Sequence, residues 1–238
     1  MTAPAPAPGT AGLAVTSSTG VMGLAVGRVG ENVAVESVFD VEVPTERRHA
    51  EELTPLLHEL LATAGLTPAD LGWLAVDVGP GRFTGLRVGL ATVRGLAFAL
   101  GVPVVGVTSL EILAAGAPAG PVTAVVDARR QEVFQQRFID GAADGEARVG
   151  PPEELARSAR GVVLGDGFDR YRDLYLLPGT DQDGPDVVGL DGRHPRAVDL
   201  LALAAGRSAG PGVDVRPRYL REPDAVANVR TRPEAVAS

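Results

Sequence analysis

The residues best suited to chemistry lie at 79–85, Gly-Pro-Gly-Arg-Phe-Thr-Gly. They stand between a short apolar run at 74–78 and a long amphipathic segment at 84–100, where the end of a strand meets the start of a helix. Backbone N–H groups and the helix dipole at such a junction can hold a phosphate. Gly79, Gly81 and Thr84 are therefore the candidate contacts for a nucleotide or another anion. The same residues also suit a tight turn that only admits a closely packed helix, and the motif alone does not separate the two. A second charged group, Asp127, Arg129 and Arg130, falls at a hairpin turn, where it could meet phosphate or RNA or close the turn with salt bridges. The histidines offer less. His49 and His58 sit about half a helical turn out of phase, so one helix cannot aim both at a metal, and His194 stands alone in a Gly/Pro-rich stretch.

Composition removes whole classes of mechanism. The 238 residues include no cysteine and no lysine, every basic side chain other than His being Arg. Disulfides, thiolate nucleophiles, Cys-ligated metals, a P-loop lysine and Schiff-base chemistry are absent with them. A net charge of −8 argues against a chain that grips nucleic acid alone, because such affinity comes from neutralising phosphates. The opening MTAPAPAPGT lacks the basic and apolar regions of a signal peptide, and Arg87 and Arg94 interrupt the longest apolar run. The expectation is a soluble cytoplasmic protein with no membrane partner.

The elements that must position these residues follow from periodicity. Residues 13–15, 21–26 and 33–39 read as three strands separated by turn residues, and 45–64 as a helix. Strand, helix and strand occupy 74–107, with Gly101 as an αL cap, and Ser109 is placed to cap a short helix through Ala115. A second half opens at Gly120-Pro121 with a hairpin of 122–126 and 131–139, followed by a strand at 161–165 and a helix at 197–209. Residues 140–195 are dense in Gly, Pro and Asp and read as loop-rich. The resulting division is a tail at 1–9, one lobe at 10–117, a second at 118–223 whose helix 197–209 could pack back on the first, and a tail at 224–238.

The two long helices carry more apolar surface than one small sheet covers. In 84–100, Leu86, Leu90, Val93, Ala97 and Leu100 make a bulky stripe for the sheet. Gly85, Gly89, Thr92 and Ala99 make a small-residue stripe about a quarter turn away, as an advance of about 100° per residue dictates. Glycine inside a helix costs about 1 kcal/mol relative to Ala, so a close neighbouring helix is the expected reason for keeping it. Arg87 and Arg94 lie on a third face, either a solvated edge or a partner contact. In 45–64, Leu53, Leu57 and Leu60, with Leu56 and Leu61, follow the i, i+3, i+4, i+7 pattern.

The segment GPGRFTGLRVGLATVRGLAFALGVPVVGVTSLE resembles that of the TsaB (YeaZ) family, non-catalytic relatives of the tRNA threonylcarbamoyltransferase, with Arg82 where Ser is usual. RRHAEELTPLLHELL at 47–61, DARRQEVF at 127–134 and RPRYLREPDA at 216–225 are similar to family segments in the same order. The resemblance implies an α/β, actin-like (ASKHA) fold of two lobes, with mixed sheets flanked by helices. It further implies a scaffold and dimerisation subunit for threonylcarbamoyladenosine synthesis next to the tRNA anticodon, partnering the catalytic subunit TsaD and the small ATPase TsaE. ATP and Mg²⁺ would belong to those partners and no cofactor to this chain. tRNA would be met through the complex, and whether the chain alone pairs with a second copy as a homodimer stays open. The interface implied lies on helices 45–64 and 84–100, with Leu53, Leu57, Leu60, Gly85, Arg87, Gly89, Thr92 and Arg94.

The resemblance also bears on catalysis. Actin-like ATPases and most TsaB proteins resemble one another in having Asp where this chain has Thr16, and actin-like enzymes place a phosphate loop where DARR stands here. Loss of that carboxylate removes a usual Mg²⁺ or water-orienting group. The catalytic relatives use a His-x-Glu-x-His metal motif that this chain lacks. Two rivals stay open: an actin-like ATPase or peptidase-like enzyme, and a self-sufficient tRNA-binding module.

Overall fold

In the computed structural model the described residues are 4–44, 49–176 and 187–221. The first half contains β1 (Ala11–Thr16), β2 (Val21–Val29), β3 (Val35–Pro44), α1 (His49–Thr63), β4 (Leu71–Asp77), α2 (Phe83–Leu100), β5 (Val104–Val107) and α3 (Ser109–Ala115). The second contains β6 (Pro121–Arg129), β7 (Glu132–Ile139), β8 (Ala142–Ala143), β9 (Arg148–Gly150), α4 (Pro152–Leu155), β10 (Val162–Leu164), α5 (Asp166–Arg170), α6 (Arg172–Tyr175), β11 (Val188–Leu190) and α7 (Ala197–Ala205).

Each half builds one mixed sheet. The first runs β3-β2-β1-β4-β5, with β1 antiparallel to β2 and parallel to β4. The second runs β11-β10-β6-β7-β8, with an antiparallel β6–β7 hairpin and β10 parallel to β6. This is the actin-like arrangement of two mixed sheets flanked by helices.

Alternation along the strands assigns the two faces of the first sheet. Leu13 and Val15 of β1 and Leu24 and Val26 of β2 point towards Leu53, Leu57 and Leu60 of α1 and Leu86, Leu90 and Val93 of α2. Ala14, Ala25 and Ala75 point the other way, towards Leu200, Leu201 and Ala204 of α7. Small strand residues there let α7, itself rich in alanine, approach closely. α3 joins the halves, with Ile112 in the core under α7 while Leu110 and Leu113 enter the core of the second sheet.

Several boundaries move. The third strand continues to Pro44 and the fourth begins at Leu71, because pairing with β2 and β1 extends both beyond their most apolar residues. Ser109 is the first residue of α3 rather than its cap. Thr108 caps it, accepting from the Glu111 N–H at 3.2 Å while Glu111 accepts from the Thr108 N–H at 3.0 Å. The helix expected over 197–209 ends at Ala205, and Gly206 follows it. Gly101 takes the expected left-handed conformation, φ 69°. The stretch 140–195 holds short elements among its loops, 177–186 lying outside the described residues together with 1–3, 45–48 and the expected tail at 224–238.

Candidate functional site

Strand β4 delivers Asp77, fully buried, to the foot of the glycine loop. Its carboxylate accepts from the Ser109 hydroxyl at 2.6 Å, from the Gly79 N–H at 2.8 Å and from the Ser18 hydroxyl. Burial pushes this carboxyl above its ordinary range, against the pull of those donors. Ser18 lies in the β1–β2 turn and Ser109 opens α3, so one acid on β4 ties three elements together.

That tie changes the reading of the loop. Gly79 has φ 86° and precedes a cis proline, and its N–H is held by Asp77. The Arg82 N–H is held by the Ser18 carbonyl at 2.6 Å. These two amides are thus engaged within the chain, and the turn locks α2 to the first hairpin. Thr84 is exposed on the first turn of α2, and only Gly81 of the three candidates borders a cavity.

The small-residue stripe is likewise explained from inside the chain. The Ser17 hydroxyl donates to the Gly85 carbonyl at 2.9 Å, and a Cβ on Gly89 would overlap Ser17 Oγ. Gly85 and Gly89 are buried against the β1–β2 turn, while Leu53, Leu57 and Leu60 are buried under the sheet, so these five do not form an external face. Thr92 is half-buried. Arg87 and Arg94 stay exposed but reach the returning chain, Arg87 Nε donating to Tyr219 Oη at 3.4 Å and Arg94 Nη2 to the Val213 carbonyl at 3.3 Å. The outward face of α2 consists instead of Ala91, Gly95, Phe98 and Ala99, with Phe98 86% exposed and open space over Gly95.

The β6–β7 turn is a salt-bridged one. Asp127 Oδ1 accepts from the Arg129 N–H at 2.9 Å, and Oδ2 lies 3.3 Å from Arg129 Nη1 and 3.2 Å from Arg170 Nη1. Asp166 accepts from the Asp127 N–H at 3.0 Å; burial raises its pKa against the pull of that hydrogen bond, the Asp127 carboxylate raises it further, and Arg82 and Arg129 lower it. Arg129, Arg130 and Gln131 all hold positive φ, 61°, 54° and 61°.

An actin-like fold implies a Mg²⁺-nucleotide between the two hairpins, and these residues do not fit one. Thr16 supplies no carboxylate, and its hydroxyl faces the Gly23 carbonyl at 3.5 Å. The Arg82 guanidinium lies against Gly20, where a Cβ would sit 3.1 Å from its Nη atoms. Among the described residues no three metal-ligating side chains gather. His58 is exposed, His49 opens α1, and His194 Nε2 pairs with Glu42 at 3.0 Å.

A cavity of about 480 Å³ opens beside this cleft, between the start of α2, the β6–β7 turn and residues 218–221. Arg218 brings the last described segment there by donating its N–H to the Val78 carbonyl at 2.7 Å. Sequence reasoning missed Asp77 and Tyr219. A lone acid in the apolar run LAVDV was the available signal for the first, whereas Tyr219 meets α2 only through the folding of distant chain.

The two mixed sheets and their topology, with Arg82 set against the turn of the first hairpin, define an actin-like protein. Residues 43–151 match the family model described as TsaD, tRNA N6-adenosine threonylcarbamoyltransferase. Over greater lengths the chain is 36% identical to an uncharacterised Mycobacterium tuberculosis protein, covering 83% of this chain and 82% of that one. It is 34% identical to the Escherichia coli tRNA threonylcarbamoyladenosine biosynthesis protein TsaB, covering 74% and 81%. The structure of YeaZ from Pseudomonas aeruginosa superposes with a TM-score of 0.73 at 30% identity, covering 89% of this chain and all of that one. The chain belongs to the TsaB family of tRNA threonylcarbamoyladenosine biosynthesis proteins.

Proposed function

We propose that this chain is the non-catalytic subunit that organises the threonylcarbamoyltransferase TsaD for modification of the adenosine next to the tRNA anticodon. The observation that carries the reading is the outward face of α2, where Ala91, Gly95 and Ala99 leave room for a second helix and Phe98 stands 86% exposed. An apolar face of this kind beside α1 suits helix-to-helix association. The same face would join two copies of this chain when TsaD is absent. ATP and Mg²⁺ act in TsaD and TsaE, tRNA is met through the assembly, and the work is done in the cytoplasm.

The test is reconstitution. TsaD from the same cell is purified with and without this chain, and threonylcarbamoyladenosine formation on tRNA is measured with TsaE, ATP and Mg²⁺ present. Formation should depend on this chain. Equal rates without it would end the scaffold reading.

A further inference from the structure

We propose that a band of arginines along one edge of α2, continued across to the β6–β7 turn, is the surface by which this chain meets the phosphate backbone of tRNA. This rests on the scaffold reading, which brings tRNA to the assembly and leaves the surface that touches it unnamed. Arg82, Arg87, Arg129, Arg218 and Arg221 line one concavity, with Asp127 as the carboxylate of that lining, and Arg94 carries the charge further along α2. The chain as a whole has 30 acidic residues against 22 basic ones, so the band is a local reversal of sign. Every basic residue other than His is Arg, and the placement of these six rather than their type is the signal.

Neutral groups hold the exposed members in position. Arg87 Nε donates to Tyr219 Oη at 3.4 Å and its guanidinium lies 3.7 Å from the centre of the Phe83 ring, while Arg94 Nη2 donates to the Val213 carbonyl at 3.3 Å. Arg129 is paired with Asp127 and Arg221 with Glu132, but among the described residues Arg87, Arg94 and Arg218 make no ion pair. An arginine held by neutral partners keeps its whole charge for an incoming anion, and part of its side-chain freedom is already lost.

The charges form a row. Arg87 and Arg94 stand about 10 Å apart along the helix at its ordinary rise, and the returning chain runs beside them from Val213 to Tyr219, bringing Arg218 into line. A row of that length suits a polyanion with repeated phosphates. A single phosphate is better served by converging amides, and here the N–H groups of Gly79 and Arg82 are taken within the chain. Contacts of this kind place an RNA without reading its sequence. Few in number on an acidic chain, they add to the grip of a partner and do not replace it.

Fluorescence anisotropy of labelled tRNA, titrated with the complex of this chain and TsaD at a series of salt concentrations, tests the band. Arg218→Glu should weaken tRNA binding by about tenfold, as loss of a charge-assisted contact does. Arg87→Gln, which removes the charge and keeps a donor for Tyr219, should lower the salt slope by about 1. Melting curves and TsaD association should stay as in the parent. Arg157→Glu is the control, because Arg157 follows Ala156 on the opposite face of the second sheet from Phe134, which lines the concavity, and it should change neither reading. Affinity and slope untouched by both band variants overturn the proposal. So does loss of TsaD association in Arg218→Glu, which would make the band a contact with an acidic protein surface. Titration of the chain alone at low salt separates the two readings: if only the scaffold reading fails, weak tRNA binding still responds to Arg218→Glu, and if the band is wrong it does not.

Discussion

The hydroxyl of Ser17 donates to the carbonyl of Gly85 at 2.9 Å, binding the β1–β2 turn to α2 across 68 residues of sequence. Gly89 lies one helical turn further on against the same side chain. Gly89→Leu should therefore lower stability by about 1 to 3 kcal/mol through overpacking, read as an earlier thermal midpoint. Gly89→Ala in a Ser17→Ala background should instead gain up to about 1 kcal/mol of helix propensity. If Gly89→Leu melted like the parent chain but lost its partner, the contact with Ser17 would not be the reason for this glycine.

The exposed side of α2, where we propose that a partner docks, should respond in the opposite way. Phe98→Arg should leave the melting curve in place, because the ring is 86% exposed, and cost about 2 kcal/mol or more of TsaD binding if it is a central anchor. Size-exclusion chromatography and titration against TsaD check this. Gly95→Glu gives a second, independent block in open space.

What the sequence made legible was local. The αL cap at Gly101, the alternation of β1 and β2 and the leucine stripe of α1 depend on neighbours within a turn or two, so periodicity found them. Periodicity also separated the faces of α2. It cannot say what covers them, because Ser17 lies 68 positions from Gly85: the Gly85/Gly89 face, expected to meet a neighbouring helix, meets the turn of the first hairpin. The glycine loop poses the same difficulty, since the N–H groups of Gly79 and Arg82 are held by Asp77 and by the Ser18 carbonyl.

Asp77 should make stability depend on pH. Its folded pKa is raised above the ordinary 3.8, so its contribution is full below that value and is lost as pH rises through the folded pKa. Asp77→Asn should remove this dependence, gaining on the parent chain as pH rises from the ordinary value upward. Urea denaturation at a series of pH values measures it, and parallel curves for the two proteins would contradict the assignment.

ATP turnover by the isolated chain should not exceed background. Thr16 supplies no carboxylate to orient Mg²⁺ or water, and Arg82 lies against the Gly20 turn. Phosphate release with Mg-ATP is the measurement. Turnover abolished by Gly81→Asp would show a working hydrolytic site.

The position of α7 sets the order in which the molecule can be completed. Ala14, Ala25, Trp73 and Val105 belong to the first sheet, yet the helix that seals them is made from residues 197–205. During synthesis the N-terminal half leaves the ribosome with that face uncovered, and it stays so while the whole second sheet is being translated. A nascent chain stopped before α7 carries an exposed apolar surface that invites chaperones or aggregation. The two halves are distinct as sheets, yet the first is completed only when α7, made after the second sheet, packs on it.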